Sequence, residues 1–431
     1  MKICMIGTGY VGLVSGACFA DLGNTVWCVD KIKEKIDMLN NKKIPIYEPG
    51  LEELVKKNHK SGRLKFTTNL ELAVQSSELI FICVGTPTSK NGSADLKYVF
   101  KVAKEISKNI NNFKIIINKS TVPVSTGDKV EKIISSKNKK SKFAVISNPE
   151  FLREGDAIRD FRFPDRIVVG SNNKKVLRKI KILYQPLVNK GAVFFSTSRR
   201  GAEIIKYASN AFLATKISFM NEIGNLCEKT KVDVEDVALG IGLDKRIGAR
   251  FLRVGPAYGG SCFPKDTKAI AFSGDKFNTN LSIIKSVIKS NEARKSLLTN
   301  RAENILSRRL KNKNISFLGV TFKANTDDMR GATSSLMIPL LHKKGAKIRY
   351  YDPTGPKKEF SKLKNVFYCD NISKACKKSD LIIIHTEWDE FKSLNFNKLS
   401  KIKNCIIFDM RNLYSPSQMK KLKLKYYSIG R

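Results

Sequence analysis

The first thirty residues constrain the fold more than any other stretch of the chain. An apolar segment, Lys2 to Ile6, runs into Gly7-Thr-Gly-Tyr-Val-Gly12 and then into small residues to about Leu22. A second apolar segment, Thr25 to Val29, ends on Asp30. The order reads as strand, glycine turn, helix, strand. Gly7, Gly9 and Gly12 have the GxGxxG spacing: one glycine for the tight turn, one for close approach of a pyrophosphate, one for packing of helix on strand. The helix start offers N–H groups and a positive dipole end to phosphates. Asp30 stands where a carboxylate binds the ribose hydroxyls of NAD. Lys31, Lys33 and Lys35 follow closely, so NADP stays open beside NAD.

Further apolar runs end in polar loops. Glu78 to Val84 leads into Gly85-Thr86-Pro87-Thr88, and Lys114 to Asn118 into Lys119-Ser120-Thr121-Val122-Pro123. Phe143 to Ser147 leads into Asn148-Pro149-Glu150-Phe151-Leu152-Arg153-Glu154-Gly155. A doubly wound sheet binds ligands at such carboxyl ends, so three strands are expected to deliver loops to one rim. The stretch Gly201 to Lys229 reads as a long helix, apolar on nearly every face and therefore buried between domains or subunits. Lys206 and Asn210 lie four apart on it and share a face, where burial demands partners.

The last 120 or so residues read as an altered copy of the opening fold. Asn314 to Gly319 parallels the first strand, Ala346 to Asp352 parallels TVWCVD, Ser379 to His385 parallels SELIFIC, and Asn404 to Asp409 adds another strand. The glycine fingerprint is gone, since Val-Thr-Phe-Lys follows Gly319, so the copy is expected to take a mononucleotide. The fold class is α/β, with two Rossmann-like doubly wound domains joined by a long central helical segment. The expected divisions are 1–200 for the NAD domain, 201–300 for a central helical and dimerisation domain, and 301–431 for the second nucleotide domain.

Composition excludes several classes. Nine cysteines are scattered without a CxxC pair, which removes zinc ribbons, thioredoxin motifs and a disulfide framework and suits a reducing cytoplasm. No metal site is expected. Three histidines, none near a glycine-rich turn, disfavour a histidine-based centre. The formal charge is +40, but lysines are spread in pairs and triplets with no accompanying nucleic-acid signature. We read them as solvated faces, with no nucleic-acid partner. No apolar run reaches membrane-spanning length, and glycines interrupt the signal-like N-terminus, which reads as mature structure.

One loop carries reactive chemistry. In GGSCFPKD, Cys262 follows Gly259, Gly260 and Ser261 and precedes Lys265 and Asp266. The glycines let substrate and backbone come close. Upstream, Arg246, Arg250 and Arg253 suit phosphate groups. A nucleophilic cysteine beside NAD can hold an aldehyde as a thiohemiacetal, lose a second hydride and leave a thioester for water.

The chain resembles the UDP-glucose 6-dehydrogenase family of nucleotide-sugar dehydrogenases over essentially its whole length. GTGYVG at 7–12, VGTPT at 84–88, STVPVSTG at 120–127 and NPEFLREG at 148–155 carry the resemblance. So do IKYASNAFLATKISFMNE at 205–222, GGSCFPKD at 259–266 and GVTFKANTDDMR at 319–330. FPDRIVVG at 163–170 and the CFPKDT form resemble the UDP-glucose branch more than the GDP-mannose branch. The resemblance implies Cys262 as nucleophile, with Lys206 and Asn210 stabilising the oxyanion at the sugar C6. It implies Asp266 with a water held by Thr121 in proton handling, and Glu150 in thioester hydrolysis. NAD would be held by Gly7, Gly9, Tyr10, Val11, Gly12, Asp30, Lys35, Thr86, Thr121, Glu154 and Arg330. The UDP-sugar would be held by Glu150, Phe151, Leu152, Lys206, Asn210, Arg246, Phe251, Gly255, Gly259 and Lys323, with Arg246 reaching across a homodimer interface. Arg411 would lie near the uridine.

The expected activity is therefore NAD-dependent, four-electron oxidation of UDP-glucose to UDP-glucuronate. GDP-mannose or another sugar nucleotide is the alternative substrate. A two-electron hydroxyacid dehydrogenase and a basic nucleic-acid binder with a relic fold are the competing classes.

Overall fold

The computed structural model describes residues 1–395 and 406–431, the side chain of Lys140 excepted. The described chain divides into two compact units, Met1–Ser209 with Lys268–Thr279, and Asn210–Thr267 with Asn280–Arg431. No helix among the described residues is long and apolar enough to cross a membrane.

The first unit is built on eight strands: β1 (Lys2–Ile6), β2 (Thr25–Val29), β3 (Leu64–Thr67), β4 (Leu79–Ile82), β5 (Lys114–Asn118), β6 (Phe143–Ser147), β7 (Arg166–Gly170) and β8 (Val193–Thr197). Their order is β3-β2-β1-β4-β5-β6-β7-β8. The pairs from β3 to β6 are parallel, and β7 meets β6 antiparallel. The central strands are continuous apolar runs because helices cover both faces of a parallel sheet. Every residue of β4 and β5 is buried. The apolar core accordingly forms two clusters, one around Phe19 and Phe81, the other around Ile80 and Ile116.

The second unit repeats the plan with β9 (Asn314–Leu318), β10 (Lys347–Tyr351), β11 (Val366–Tyr368), β12 (Leu381–Ile384), β13 (Ile406–Asp409) and β14 (Lys425–Tyr427). The order β11-β10-β9-β12-β13-β14 is all parallel and reproduces the first six positions of the other sheet. The expected fold class and internal copy are thus what the chain adopts. Of the strand expected at Asn404 to Asp409, residues 404 and 405 lie outside the described residues.

The copy extends to backbone detail. The Gly7 N–H donates to Val29 O at 2.7 Å, and the Gly319 N–H to Tyr351 O at 2.8 Å. Both glycines take positive φ, 105° and 72°. Asp30 Oδ2 accepts the Thr8 N–H at 2.9 Å, as Asp352 Oδ2 accepts that of Val320 at 2.9 Å. The copies differ in access. Asp30 is half-buried, whereas Asp352 is fully buried and ion-paired to Lys357 at 3.4 Å. A carboxylate so enclosed is structural, which is why the second sheet lacks a ribose acceptor of the first kind.

The expected long helix runs over Arg199–Thr230. Its opening turns are tied to the first sheet by Glu203. Ser125, at φ 70°, starts the helix Thr126–Ser135 without a side-chain cap of its own. Glu203 supplies one: its Oε1 accepts the Gly127 N–H at 2.8 Å and the Ser147 hydroxyl at 3.0 Å, while Oε2 has no hydrogen-bond partner. Burial pushes the Glu203 carboxyl up to about 7, against the opposing hydrogen bonds from Gly127, Ser147 and Ser125. Its ordinary value is 4.5. The folded chain therefore binds more protons than the unfolded chain between about 4.5 and 7, and stability falls as pH rises through that window. Glu203→Gln keeps the acceptor and removes the titration. The variant should match wild type near pH 4.5 and exceed it by about 2 kcal/mol at pH 8. Thermal unfolding at both pH values checks this, and an unaltered pH slope would contradict it.

Candidate active site

In the first unit the predicted residues gather on the rim formed by the ends of β1, β2, β4, β5 and β6. The helix Tyr10–Asp21 starts at Gly9 with no side-chain cap. A Cβ on Gly12 would fall 1.8 Å from the Gly7 carbonyl oxygen, and one on Gly7 would meet Cys83 O at 2.8 Å. These two glycines are fixed by the chain's own backbone. A Cβ on Gly9 would meet nothing within 4 Å, so an open space faces the uncapped N–H groups. Asp30 is held below the usual carboxylate range: burial opposes this, but the Thr8 and Ile32 N–H groups, the Thr8 hydroxyl and Lys35 prevail. The turn, its open face and the ionised, half-exposed Asp30 fit a dinucleotide.

Tyr10 is drawn into a buried knot. Its hydroxyl donates to Glu48 and accepts the Gly155 N–H at 2.7 Å. Glu48 also accepts the N–H groups of Gly155 at 2.6 Å and Ala157 at 2.7 Å. Glu48 thus pins the loop that carries Glu154. Sequence reasoning missed it, and nothing in YEPG signals a contact with a loop more than a hundred residues on. The Thr86 hydroxyl donates to Thr121 O at 2.9 Å, locking the loops after β4 and β5 together.

Glu150, after β6, is 5 % exposed. Its Oε1 lies 3.3 Å from Lys206 Nζ, and its Oε2 accepts the Leu152 N–H at 2.5 Å. Lys206 also lies 5.1 Å above the Phe151 ring, whose centroid is 3.8 Å from the Arg166 guanidinium carbon. The partners that burial demanded for Lys206 include this carboxylate and ring.

The second unit holds the thiol. Cys262 is partly exposed, and the helix Phe263–Lys276 begins at the next residue. A helix start favours the thiolate, the nucleophilic form. One turn into that helix, Asp266 is fully buried and accepts from Asn210 Nδ2 at 2.7 Å, and it also pairs with Lys265. The Asp266 N–H donates to Cys262 O at 2.8 Å. Burial of Asn210 is satisfied in this way, by the carboxylate four residues past the cysteine.

The glycines before Cys262 also serve packing within the chain. A Cβ on Gly259 would meet Gly331 O at 2.9 Å, and one on Gly260 would meet the Phe322 ring at 2.7 Å. The room they leave is filled by the segment 322–331, whose Arg330 O accepts the Gly260 N–H at 2.7 Å. Lys323 Nζ sits 5.7 Å over the Phe322 ring, and Arg330 grips Asp328 at 2.8 Å. Phe251 takes φ 67°, a strained setting for an aromatic residue, and its ring lies 6.3 Å from that of Phe263. Arg246 is not drawn into this group: it is exposed and pairs with Asp244 at 2.6 Å.

A buried triad missed from the sequence shapes the approach to the cysteine. Asn221 Oδ1 accepts the Gly255 N–H at 2.9 Å, and Arg294 Nε donates to Gly255 O at 2.7 Å. Asn291 Oδ1 accepts the Tyr258 N–H at 2.8 Å, and its Nδ2 donates back to Tyr258 O. The polar pair at spacing three in NEAR was the available signal. Arg411 donates to His385 O at 2.9 Å and Phe322 O at 2.7 Å, and a Cβ on Gly255 would lie 3.4 Å from it.

The two glycine settings predict opposite outcomes. Gly9→Ala should unfold like wild type and bind NAD at least about tenfold more weakly, because the methyl enters the space for phosphate. Gly12→Ala should lose stability by about 2–4 kcal/mol, because backbone must move. Calorimetric unfolding and NAD titration of both variants separate these effects.

Three family models cover the chain: the UDP-glucose/GDP-mannose dehydrogenase NAD binding domain over residues 1–188, the central domain over 200–293 and the UDP binding domain over 316–416. The UDP-glucose 6-dehydrogenase of Rhizobium meliloti (strain 1021) is 45% identical over 435 residues, covering 100% of both chains. That of Rickettsia felis is 45% identical over 433 residues, covering 100% of this chain and 96% of its own. The solved UDP-glucose dehydrogenase of the archaeon Pyrobaculum islandicum superposes with a TM-score of 0.90 at 35% identity, covering 99% of this chain and 96% of the other. NAD is the cofactor that this family's first domain binds. By sequence, by fold and by the order of its three domains, the chain belongs to the UDP-glucose/GDP-mannose dehydrogenase family.

Proposed function

We propose that the chain oxidises UDP-glucose to UDP-glucuronate in two NAD-dependent steps through a thioester on Cys262. The observation that carries this reading is the thiol at a helix start, one turn before a buried Asp266–Asn210 pair. A two-electron dehydrogenase needs no such nucleophile. The relatives named UDP-glucose 6-dehydrogenase support the choice of sugar nucleotide over GDP-mannose.

NAD, when bound, takes up one hydride at each oxidation. The protein handles the rest. Lys206 and Asn210, one helical turn apart, donate to the C6 oxygen as it gains negative charge. Cys262 thiolate adds to the C6 aldehyde, and the oxygen takes a proton, giving the thiohemiacetal. Loss of the second hydride and of the hydroxyl proton leaves the thioester. Water, oriented by Thr121 and deprotonated with help from Glu150, adds to that carbonyl. The C–S bond breaks, the acid leaves and the thiolate returns. Asp266 holds Asn210 in place and takes part in the proton transfers. Phe151, Leu152, Phe251, Gly255, Gly259 and Lys323 would hold the UDP-sugar, and Arg330 would reach NAD.

The working unit in this reading is a homodimer. Phe212, Phe219 and Leu226 recur every seven residues along the long helix and are 66%, 52% and 58% exposed. Such a seam suits a second copy of the same helix. Arg246, exposed in the single chain, would then serve the partner's substrate. The thiols among the described residues suit a reducing cytoplasm.

Wild type should yield two NADH per UDP-glucose. Cys262→Ser should lower acid formation by at least about a thousandfold. Coupled absorbance and product chromatography read both quantities. One NADH per sugar, with an unaffected serine variant, would rule out the thioester route.

A further inference from the structure

A cavity of about 880 Å³ lies within the second unit, at the amino ends of β9 and β10. Its walls are the close of the helix Ser282–Ile305, the turn that leads on to β9, and Lys344 just before β10. Gly319 and the segment 322–331 follow the carboxyl end of β9. Five strand residues, about 16 Å, therefore separate the cavity from the ligand-facing rim of the sheet. Its volume suits a small molecule.

Charge distinguishes this cavity. Arg308, Arg309, Lys311 and Lys344 line it against one carboxylate, Glu303. Glu303 is 8% exposed, and its two oxygens each lie 2.6 Å from Lys344 Nζ. That acid is thereby taken. Arg308 Nε donates to the neutral Asn304 Oδ1 at 3.0 Å, which orients the guanidinium without compensating its charge. Arg309 and Lys311 have no carboxylate partner among the described residues. Three cations thus share one concave wall with no anion of their own.

Neither composition nor helix capping accounts for this wall. The chain is rich in lysine, but adjacent arginines occur at only two places, 199–200 and 308–309. The first pair is neutralised by Asp128 and Glu131, at 2.5 to 2.8 Å. The second pair has no such acids. Nor does the helix end need these side chains. The Glu303 and Asn304 carbonyls that close it accept the backbone N–H groups of Arg308 and Ser307, at 2.8 and 2.9 Å. Ser307 and Arg308 both take left-handed φ, 53° and 57°, to make that turn without a glycine. Such settings are costly for side-chain-bearing residues and gather at functional sites.

The rest of the lining narrows the ligand. Asn300 and Asn304 supply amides, and Leu310 is 3% exposed. Among the described residues no aromatic side chain lines the cavity, so a nucleobase would find nothing to stack on. Phosphate oxygens would find two guanidinium forks and an ammonium. We propose that this cavity is a second anion site, for a small ligand that carries two phosphate groups and no base. Arg308, Arg309 and Lys311 hold the phosphates, and Asn300 and Asn304 hold hydroxyls where the ligand has them. The site is independent of the reaction set out above.

Titration calorimetry on the full-length chain tests this, with pyrophosphate and fructose 1,6-bisphosphate as probes. UDP and NAD are kept saturating, so that neither probe reads the reaction site. Wild type should bind one equivalent of probe with a Kd below about 1 mM. The three cations are exposed, so binding should weaken as salt rises. The double variant Arg309→Gln, Lys311→Gln should melt like wild type and bind at least about tenfold more weakly. Arg308→Asn removes the guanidinium but keeps a residue that tolerates left-handed φ, and its loss should be of the same order. Tighter binding of the bisphosphate assigns a sugar, and tighter binding of pyrophosphate assigns the inorganic anion; either bears the site out. A wild type that takes up neither probe below about 10 mM overturns the proposal. Binding left undiminished in either variant overturns it too, since the anion then sits elsewhere on a basic chain.

Discussion

In each sheet, one backbone bond fixes where a ligand can sit. The glycine that ends the first strand turns at positive φ and gives its N–H to the carbonyl that ends the second: Gly7 to Val29 O, Gly319 to Tyr351 O. The chain must then leave the sheet at the point where the strand order reverses. On one side lies β2 or β10, on the other β4 or β12. The loops diverge there, because connections on the two sides run over opposite faces. What fills the resulting crevice differs. At Gly9 it is open. The counterpart of Gly9 in the second unit is Thr321, fully buried, with its hydroxyl donated to Lys323 O at 3.0 Å. The same topology therefore gives a dinucleotide turn in one unit and a closed turn in the other.

Around that frame the chain buries charge at cost. Lys119, Glu150, Lys206 and Glu203 are each at most 5 % exposed in the first unit, and Asp266 and Arg294 likewise in the second. An isolated buried charge is untenable, so each has acquired partners, some with strong bonds and some with long ones. The strong sets hold backbone in place. Glu48 pins the loop after β6, and Asn221, Asn291 and Arg294 pin the loop before Cys262. Lys119 is held by longer contacts, to Asn148 at 3.4 Å and Tyr184 at 3.5 Å.

Much of this was legible in the residues. The strands announced themselves as apolar runs because a parallel sheet is covered on both faces, and the bounds of Lys114–Asn118 and Phe143–Ser147 were read to the residue. Asp30 and the glycine turn were legible because their spacing is local. Lys206 and Asn210 were legible as a shared helical face. Glu48, Lys119, Glu203 and Arg294 were not. Each acts through a contact thirty or more residues away in sequence, and a single lysine, glutamate or arginine carries no periodic signal. The packing of Gly259 and Gly260 against the segment 322–331 was illegible for the same reason. A glycine declares that something comes close, but not whether it is a ligand or the chain's own Phe322.

The sequence by itself determined the two sheets, the dinucleotide turn, the long helix and the position of one thiol in a glycine-rich loop. These follow from hydrophobic periodicity and from local turn geometry, which act over a few residues. Only the tertiary structure decided which partner each buried carboxylate meets. Asp266 went to Asn210, Glu150 to Lys206 and Asp352 to Lys357. The reason is that desolvation acts on whatever groups packing brings together. A charge's partner is therefore chosen by the fold, after the local rules have finished.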